Sequence, residues 1–408
     1  MADTICAIDV GTTKVCALIA EVINESTIEI VGWGRAPSDG MTKGVVTNVA
    51  AATAAIGQAV EEAEQTANRS IGRAYVGIAG SHVQAQPSKG AVPVGRTRVV
   101  MAEDVARVKE AARAIALPHN REIIHVVPRT FAVDEQEDLL EPIGMHGFRL
   151  AVDAQIISGA SGAVRNLVGC LQTHGIEIEE LVLEPLASGE AVLTDAEKEM
   201  GVVVVDIGGG TTDVAMFMKG SLWHTVVLDV GGQHLTHDLA VGLGAPFEAA
   251  EQLKVRHGYA MASRVPPDQE VTTEVFGESV PRSVPRQLVA EILQARAEEI
   301  IDLVLREIKR SGYDGLVPAG LVLTGGTAQL AGLRDLAREM THLPVRIGVP
   351  TGVPGLPEAL RGSENATGVG LLLWALHNQW TTAEHGERRQ RSPFLERIMR
   401  WLQNLLPG

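Results

Sequence analysis

Residues 201–218, GVVVVDIGGGTTDVAMFM, decide the fold class. An apolar run ends at Asp206, a glycine turn follows, and a second apolar run begins after Asp213. Glycines in such a turn let backbone N–H groups approach an anion closely, because no Cβ stands in the way. The pattern predicts a strand–turn–strand loop that binds phosphate, and the alternative is a plain hairpin with a glycine turn. The predicted contacts are Asp206, Gly208, Gly209, Gly210, Thr211, Thr212 and Asp213.

The same pattern recurs near the N-terminus. Residues 5–20, ICAIDVGTTKVCALIA, again place an aspartate, a glycine and a threonine pair between two apolar runs. Two like units indicate two like domains, whose loops would clamp the phosphates of one nucleotide between them. Carboxylates repel phosphate, so a divalent cation or its waters should separate the two. The glycine spacing fits neither the P-loop nor the dinucleotide-binding turn. The contacts predicted on this side are Asp9, Gly11, Thr12, Thr13 and Lys14.

Composition excludes several classes of protein. The 408 residues are 45% hydrophobic, which suffices for a large core in two or more domains. A net charge of −15 argues against nucleic-acid binding, which needs a basic face. Cys6, Cys16 and Cys170 show no spacing typical of disulfide frameworks or zinc sites, which suits a reducing cytoplasm. We find no signal-peptide pattern and no run of about 18 apolar residues, so we expect a protein that is neither secreted nor membrane-spanning.

The paired loops resemble those of the actin, heat-shock-70 and sugar-kinase superfamily. That resemblance implies an α/β, actin-like fold of two related domains around a nucleotide cleft. It also implies ATP and Mg²⁺ in the cleft, with the metal held through water by Asp9 and Asp206. Further stretches, in order along nearly the whole chain, are similar to the FtsA family of bacterial cell-division proteins. They are GMTKGVVTNV (40–49), VVDIGGGTTDVA (204–215), KVRHGYA (254–260), VLTGGTAQLAGL (322–333) and VRIGVP (345–350).

Two segments next to the loops add candidate residues. Gly231 and Gly232 make a turn before a helix predicted to begin near residue 233, and the positive end of that helix can face phosphate. The superfamily resemblance implies a carboxylate or amide that helps to hold the metal and to orient the attacking water. Glu184 ends a predicted strand and is our candidate for that catalytic role. The alternative is a surface glutamate that precedes a proline.

Two further segments are predicted to contact the nucleoside. Glu251 and Lys254 lie three residues apart on a predicted helix and share a face. The resemblance implies that this pair reaches the ribose and the adenine edge, and without it the pair reads as an ordinary surface ion pair. Gly325, Gly326 and Thr327 follow an apolar strand, and the glycines would let the adenosine lie flat against the backbone.

The resemblance also divides the chain into subdomains. Residues 84–162 form an insert that corresponds to the family's 1C subdomain, with implied roles in filament contact and in recruiting later division proteins. The alternative is an insert that only shields the core. The remaining boundaries are 1–83 and 163–195 for subdomain 1A, 196–227 and 309–377 for 2A, 228–308 for 2B, 378–391 for a linker and 392–408 for a C-terminal helix.

Subdomain 2B is the implied binding site for the C-terminal tail of FtsZ, the tubulin-like division protein. Arg282, Arg286 and Arg296 are candidate contacts for such an acidic, apolar peptide. The alternative for each of them is a solvated surface arginine.

The last 17 residues have the pattern of an amphipathic helix that lies on a membrane. It is too short to span a bilayer, which takes about 20 residues. An anionic inner leaflet would attract Arg397 and Arg400, whose charge opposes that of the acidic body. The alternative is a terminal helix that docks on the protein's own core. The apolar face consists of Phe394, Leu395, Ile398, Met399, Trp401, Leu402, Leu405 and Leu406.

Together these features predict an ATP-binding, actin-like cell-division protein, and they leave open whether it has a weak ATPase activity. It would form filaments with itself on the inner face of the cytoplasmic membrane, at the division septum, and would anchor FtsZ there. The alternatives are a metabolite kinase or a chaperone-like ATPase of the same superfamily. A kinase needs a substrate pocket with a base, and a chaperone needs a substrate-binding domain, and the sequence indicates neither.

Periodicity predicts several elements that the structure can test. Helices are expected over residues 49–68, 103–114 and 288–310, and a further helix is expected to begin near Thr327. Within the insert, a strand should end at Val100, and two separate strands should lie on either side of Pro128.

Overall fold

The structure is a computed structural model that describes residues 3–384 and the side chains of residues 3–378. The strands are, in chain order, β1 (Thr4–Val10), β2 (Lys14–Asn24), β3 (Thr27–Pro37), β4 (Met41–Thr42), β5 (Val45–Val46), β6 (Arg73–Ile78), β7 (Gln84–Pro93), β8 (Arg121–Val133), β9 (Gln136–Leu139), β10 (Arg149–Ala160), β11 (Glu177–Leu183), β12 (Val202–Ile207), β13 (Thr212–Met218), β14 (Ser221–Leu228), β15 (Glu270–Thr273), β16 (Arg282–Pro285), β17 (Leu321–Thr324) and β18 (Val345–Ile347). The α-helices are α1 (Val49–Ala67), α2 (Ala102–Arg113), α3 (Ser161–Gln172), α4 (Glu184–Val192), α5 (Asp195–Met200), α6 (Gly232–Leu243), α7 (Phe247–His257), α8 (Arg286–Ser311), α9 (Leu333–Thr341) and α10 (Ala366–Glu384).

Two sheets of the same topology form the two halves of the fold. The first has the strand order β3–β2–β1–β6–β11 and the second has the order β14–β13–β12–β17–β18. In each half the first strand pairs antiparallel with the next strand in the chain and parallel with a later one. The fold is therefore the expected actin-like duplication, and both glycine turns lead from strand to strand.

The core is mainly aliphatic, as the low aromatic content of 3% requires. Helices α1 and α3 cover one face of the first sheet, and α6, α8 and α9 pack on the outer face of the second. Helices α4 and α10 share a third cluster with the inner faces of both sheets. The central strands are apolar on both faces because helices cover both sides of each sheet.

Helices α4 and α10 pack so closely that Gly370 is needed at their contact. A methyl group at this position would stand 1.8 Å from the carbonyl oxygen of Ala187. We expect Gly370→Ala to lower the free energy of unfolding by about 3 kcal/mol, because the two helices must separate. Urea denaturation measures this change.

Gly169→Ala provides the matched control for that substitution. Gly169 also lies in a helix, α3, but a methyl group there meets no atom within 4 Å. Alanine should stabilise that helix by about 0.5–1 kcal/mol. Equal effects of the two substitutions would contradict the packing argument.

The insert folds around a small core of its own. Its sheet has the order β7–β10–β8–β9, and α2 packs on it through Val108 and Ala112. The predicted helix over 103–114 is thus confirmed with ends shifted by one residue. Residues 84–93 form the full strand β7.

Three predictions of secondary structure are wrong in detail. Pro128 does not separate two strands, because a register shift beside its pairing partner Ala154 lets β8 continue through the proline. Val99 makes only an isolated bridge, to His146. No helix begins at Thr327, since a 3-10 turn, Gly326–Gln329, stands there and α9 begins six residues later.

The predicted linker 378–391 is also wrong in its first part. Helix α10 includes residues 378–384, of which Gln379, Ala383 and Glu384 are good helix formers. The amphipathic segment 392–408, with its apolar face and its arginines, lies outside the described residues. Within residues 3–384, no helix combines the length and the apolar character needed to cross a bilayer.

Candidate functional site

A cavity of about 660 Å³ lies between the two halves, where the β1–β2 and β12–β13 turns face each other. Most of the predicted site residues line it. They are Asp9, Gly11, Thr12, Thr13, Lys14, Glu184, Asp206, Gly208, Gly209, Thr211, Asp213, Gly232, Glu251, Lys254, Gly325, Gly326 and Thr327.

The two turns are in direct contact. A methyl group on Gly209 would stand 2.3 Å from the Thr13 methyl carbon, and one on Gly210 would stand 2.7 Å from the Thr12 hydroxyl. Glycine is therefore required for this approach. Gly325 on the third segment has a positive φ of 83°, and a methyl group there would meet an Asp206 carboxylate oxygen at 2.4 Å.

Three predicted contacts do not line the cavity. Thr212 points to the opposite face of β13 from Asp213, as strand alternation requires, and its hydroxyl donates to the Val230 carbonyl at 2.8 Å. Gly210 packs against Thr12. Gly231 lies beneath the β12–β13 turn, where a methyl group would meet several carbonyl oxygens within 3 Å. These three residues support the two turns from the side that faces away from the cavity.

The floor of the cavity is lined by carboxylates. Asp206 accepts hydrogen bonds from the Ser188 hydroxyl of α4 at 2.5 Å and from the Thr367 hydroxyl of α10 at 3.3 Å. Asp213 accepts one from Thr211 at 3.1 Å, while its Oδ1 is buried without a hydrogen-bond partner. An unpaired buried carboxylate oxygen is costly, so this arrangement calls for a cation.

Burial, together with the proximity of the carboxyl groups to one another, raises the pKa values on the cavity floor. Burial raises the pKa of Asp9 to about 6, against the opposing effect of Lys14. Burial, then the charge of Asp206, raises the pKa of Asp213 to about 8. Burial followed by the three aspartates holds the pKa of Glu184 well above its usual range. Burial also raises the pKa of Asp206 itself.

These shifts predict how stability depends on pH. The pKa values of Asp9 and Asp213 are higher in the folded chain than in the unfolded one, where aspartate titrates near about 4. Between about pH 4 and about pH 8 the folded chain holds more protons, so the free energy of unfolding falls as the pH rises. Asp213→Asn should therefore raise the melting temperature by roughly 4 °C or more at pH 8, and by less at pH 5.

Differential scanning calorimetry of the ligand-free protein measures this difference. Asp268→Asn, at an exposed aspartate of another loop, is the control and should have no such dependence. If Asp213→Asn changed the melting temperature equally at both pH values, the raised pKa of Asp213 would be contradicted.

Lys14 is anchored on the side of the cavity that leads to α10. Its ammonium donates to the Glu364 carbonyl and to Asn365 Oδ1, the latter at 3.0 Å. Asn365 also accepts from Arg35 at 2.8 Å. The position of Lys14 is thus fixed from residues about 350 positions away along the chain.

The opposite end of the cavity is formed by α6 and α7. Lys254 Nζ lies 2.7 Å from Glu251 Oε2 and donates to the Gly232 carbonyl at 3.1 Å, so the two residues share a face as predicted. The Thr236 hydroxyl binds both of them. Lys254 therefore ties α7 to the start of α6, at the edge of the cavity.

Several lining or supporting residues were absent from the sequence prediction. Ser188 lies four residues after Glu184 on α4, and this spacing places the two residues on one face of the helix. Phe247, Glu364 and Thr367 carry no local signal, since each reaches the cavity through tertiary packing alone, and Arg286 was predicted only as a partner contact.

The structure separates the three arginines predicted to bind a partner. Arg282 is exposed at the start of β16. Arg286 lines the cavity and donates to the His257 carbonyl at 2.9 Å. Arg296 Nε and Nη2 donate to Asp238 at 2.6 and 3.0 Å, so its guanidinium is already paired within the chain.

Comparison with known proteins decides the family. A family model described as "Cell division protein FtsA" matches residues 203–370, and one described as "SHS2 domain inserted in FTSA" matches residues 80–158. The chain is 40% identical to the Cell division protein FtsA of Pseudomonas aeruginosa, over 98% of this chain and 97% of that protein. The chain belongs to the FtsA family. The FtsA of Escherichia coli K12 is 34% identical, over 97% of this chain and 96% of its own length.

Solved structures share the fold of this FtsA-family chain. A PilM–PilN type IV pilus biogenesis complex matches with a TM-score of 0.66 at 18% identity, covering 91% of this chain and 98% of that one. MreB5 of Spiroplasma citri bound to AMPPNP matches with a TM-score of 0.53 at 16% identity, covering 95% and 100%. The chain is therefore an actin-like cell-division protein of the FtsA family, and its SHS2 insert corresponds to the predicted 1C subdomain.

Proposed function

We propose that the cavity binds ATP with Mg²⁺. The observation that carries this proposal is the pairing of two glycine turns over four carboxylates in one cavity. Within residues 3–384, no three His, Cys, Asp or Glu side chains lie close enough together to ligate a metal directly. Asp9 and Asp206 would accordingly hold the ion through its waters, and the unpaired Oδ1 of Asp213 fits the same charge.

Each part of the cavity then has a role. Backbone N–H groups of the two turns and the hydroxyls of Thr12, Thr13 and Thr211 bind phosphate oxygens. Bound Mg²⁺ would neutralise phosphate charge. Glu184 orients a water from the floor, and the Glu251–Lys254 pair meets the ribose and adenine, with Gly325 to Thr327 beneath the adenosine. MreB5, which shares the fold, has a solved structure bound to AMPPNP, and this supports nucleotide binding by the present chain.

We further propose that the protein is a nucleotide-dependent tether. It would form filaments on the inner face of the cytoplasmic membrane at the septum, held there peripherally by residues 392–408. Subdomain 2B, residues 228–308, would bind the FtsZ tail, and the insert would recruit later division proteins. The subdomain boundaries given above are part of this proposal.

Co-sedimentation tests the tether directly. With anionic liposomes and Mg-ATP present, FtsZ should pellet only when this protein is present, and an FtsZ tail peptide should compete. Arg282→Glu should weaken peptide binding by about tenfold, because an exposed cation near an acidic peptide changes to an anion. Lys89→Glu, an exposed lysine of the insert, is the matched control. Binding that is lost only on changes outside residues 228–308 would place the interface elsewhere.

A further inference from the structure

One histidine of the insert makes its contacts outside the insert. His125 lies on β8, opposite Ile157 of β10, and is buried. Its Nε2 accepts a hydrogen bond from the backbone N–H of Leu183 at 3.1 Å. Its ring packs edge-on against Trp374 of α10, with 5.8 Å between ring centroids. Both of these partners of the side chain, Leu183 and Trp374, lie outside the insert.

Leu183 is the residue whose backbone sets the start of α4. It ends β11, where it pairs with Ile78 of β6, and Glu184 begins the helix. The Glu184 side chain passes close to β6, since a methyl group on Gly77 would stand 3.2 Å from its Cγ. The carboxylate therefore has little freedom, and its place on the cavity floor depends on where the Leu183 backbone is held.

The protonation state of His125 suits this contact. Burial lowers the pKa of His125 to about 4, so the ring is neutral near pH 7. Because Nε2 accepts from Leu183, the proton of the neutral ring is on Nδ1, which lies 3.8 Å from Glu180 Oε1. A neutral acceptor satisfies the Leu183 N–H, which would otherwise be buried without a partner.

We propose that His125 is a positioning residue that fixes the Leu183 backbone and thereby holds Glu184 at the floor of the cavity. The insert is thus physically connected to the turnover chemistry of the cleft, through one hydrogen bond that crosses from β8 to the start of α4. The part of this inference that concerns turnover rests on the proposed function of the cavity.

Two substitutions of His125 test the proposal. His125→Leu keeps an apolar side chain of similar bulk but removes the acceptor, whereas His125→Gln places an amide oxygen near the position of Nε2. Hydrogen exchange is measured by mass spectrometry over residues 181–192 in the nucleotide-free protein. We expect exchange at the start of α4 to rise about fivefold in His125→Leu and to stay within about twofold in His125→Gln.

Turnover and nucleotide affinity are measured on the same proteins. ATP hydrolysis should fall about fivefold in His125→Leu, with Mg-ATP affinity within about twofold, and His125→Gln should restore hydrolysis. Ser88→Ala is the matched control, because it removes a buried hydrogen bond, 2.7 Å long, within the insert. Ser88→Ala should leave both the hydrogen exchange at the start of α4 and the rate of ATP hydrolysis unchanged.

The outcomes separate this proposal from the function on which it rests. Unchanged α4 exchange in His125→Leu, or equal damage from leucine and glutamine, would overturn the positioning role. Failure of the unaltered protein to bind Mg-ATP would refute the proposed function instead. The exchange measurement needs no nucleotide, so it decides the positioning role in either case.

Discussion

Replacing Asp206 with alanine is expected to weaken Mg-ATP binding by between about tenfold and a hundredfold. Asp206 lies at the centre of the cavity floor, where Ser188 and Thr367 orient it and where it raises the pKa values of Asp9, Asp213 and Glu184. Removing it takes away one of the two carboxylates proposed to hold the metal's waters. Titration calorimetry with Mg-ATP, repeated with ATP and EDTA, measures the metal-dependent part.

The same position should show the opposite effect on the ligand-free protein. Asp206→Asn keeps an oxygen that accepts from Ser188 but removes a buried carboxylate that opposes the ionisation of Asp9, Asp213 and Glu184. We expect a higher melting temperature without nucleotide together with weaker Mg-ATP binding, a trade-off typical of charged functional sites. Asp268→Asn, on an exposed loop, should alter neither quantity. Unchanged Mg-ATP affinity in both Asp206 variants would refute the metal assignment, and a lower melting temperature would refute the electrostatic argument.

Deleting residues 392–408 is expected to release the protein from anionic liposomes. If the segment binds as proposed, Arg397 and Arg400 would each contribute about 1 kcal/mol near an anionic surface, so their loss alone would weaken binding about thirtyfold. The apolar face would contribute further, because its side chains would be buried at the boundary of the headgroups. Flotation with liposomes of increasing anionic content measures the loss.

A point substitution separates the two contributions. Leu402→Asp keeps both arginines but places a charge in the middle of the apolar face, and it should weaken binding nearly as much as the deletion. Glu396→Gln, on the polar face, should leave binding intact or strengthen it slightly. Retained binding by the deleted protein would show that residues 392–408 are not the anchor.

Local sequence patterns predicted the architecture well, because each strand–turn–strand unit of the fold has a recognisable pattern of its own. The two Asp–Gly–Thr turns predicted a duplicated fold, and both sheets have the matching topology. The orientation of Thr212 was also predictable, since strand alternation puts it on the opposite face of β13 from Asp213. The prediction instead treated all residues of the motif as contacts of one phosphate site. Thr367 and Asn365 could not be predicted, because they contact Asp206 and Lys14 only after chain segments far apart in sequence have packed together.

The helix boundaries likewise agree with the prediction where local spacing sets them and differ where tertiary contacts do. Those of α1, α2 and α8 follow from apolar spacing and agree with the prediction within two residues. The helix expected at Thr327 fails because tertiary contacts engage the segment first. The Thr327 hydroxyl donates to the Gly208 carbonyl at 3.1 Å, and the 3-10 turn that contains it ends at Gln329, before α9 begins at Leu333.

Helix α10 begins at the floor of the cavity, where Thr367 binds Asp206, and continues without interruption to Glu384. Its 19 residues span roughly 28 Å at 1.5 Å per residue. Because one continuous helix connects Thr367 to Glu384, the last described residue is held at a fixed distance and direction from the cavity floor. A tilt of α10 at its cleft end would therefore displace the start of the segment that follows it.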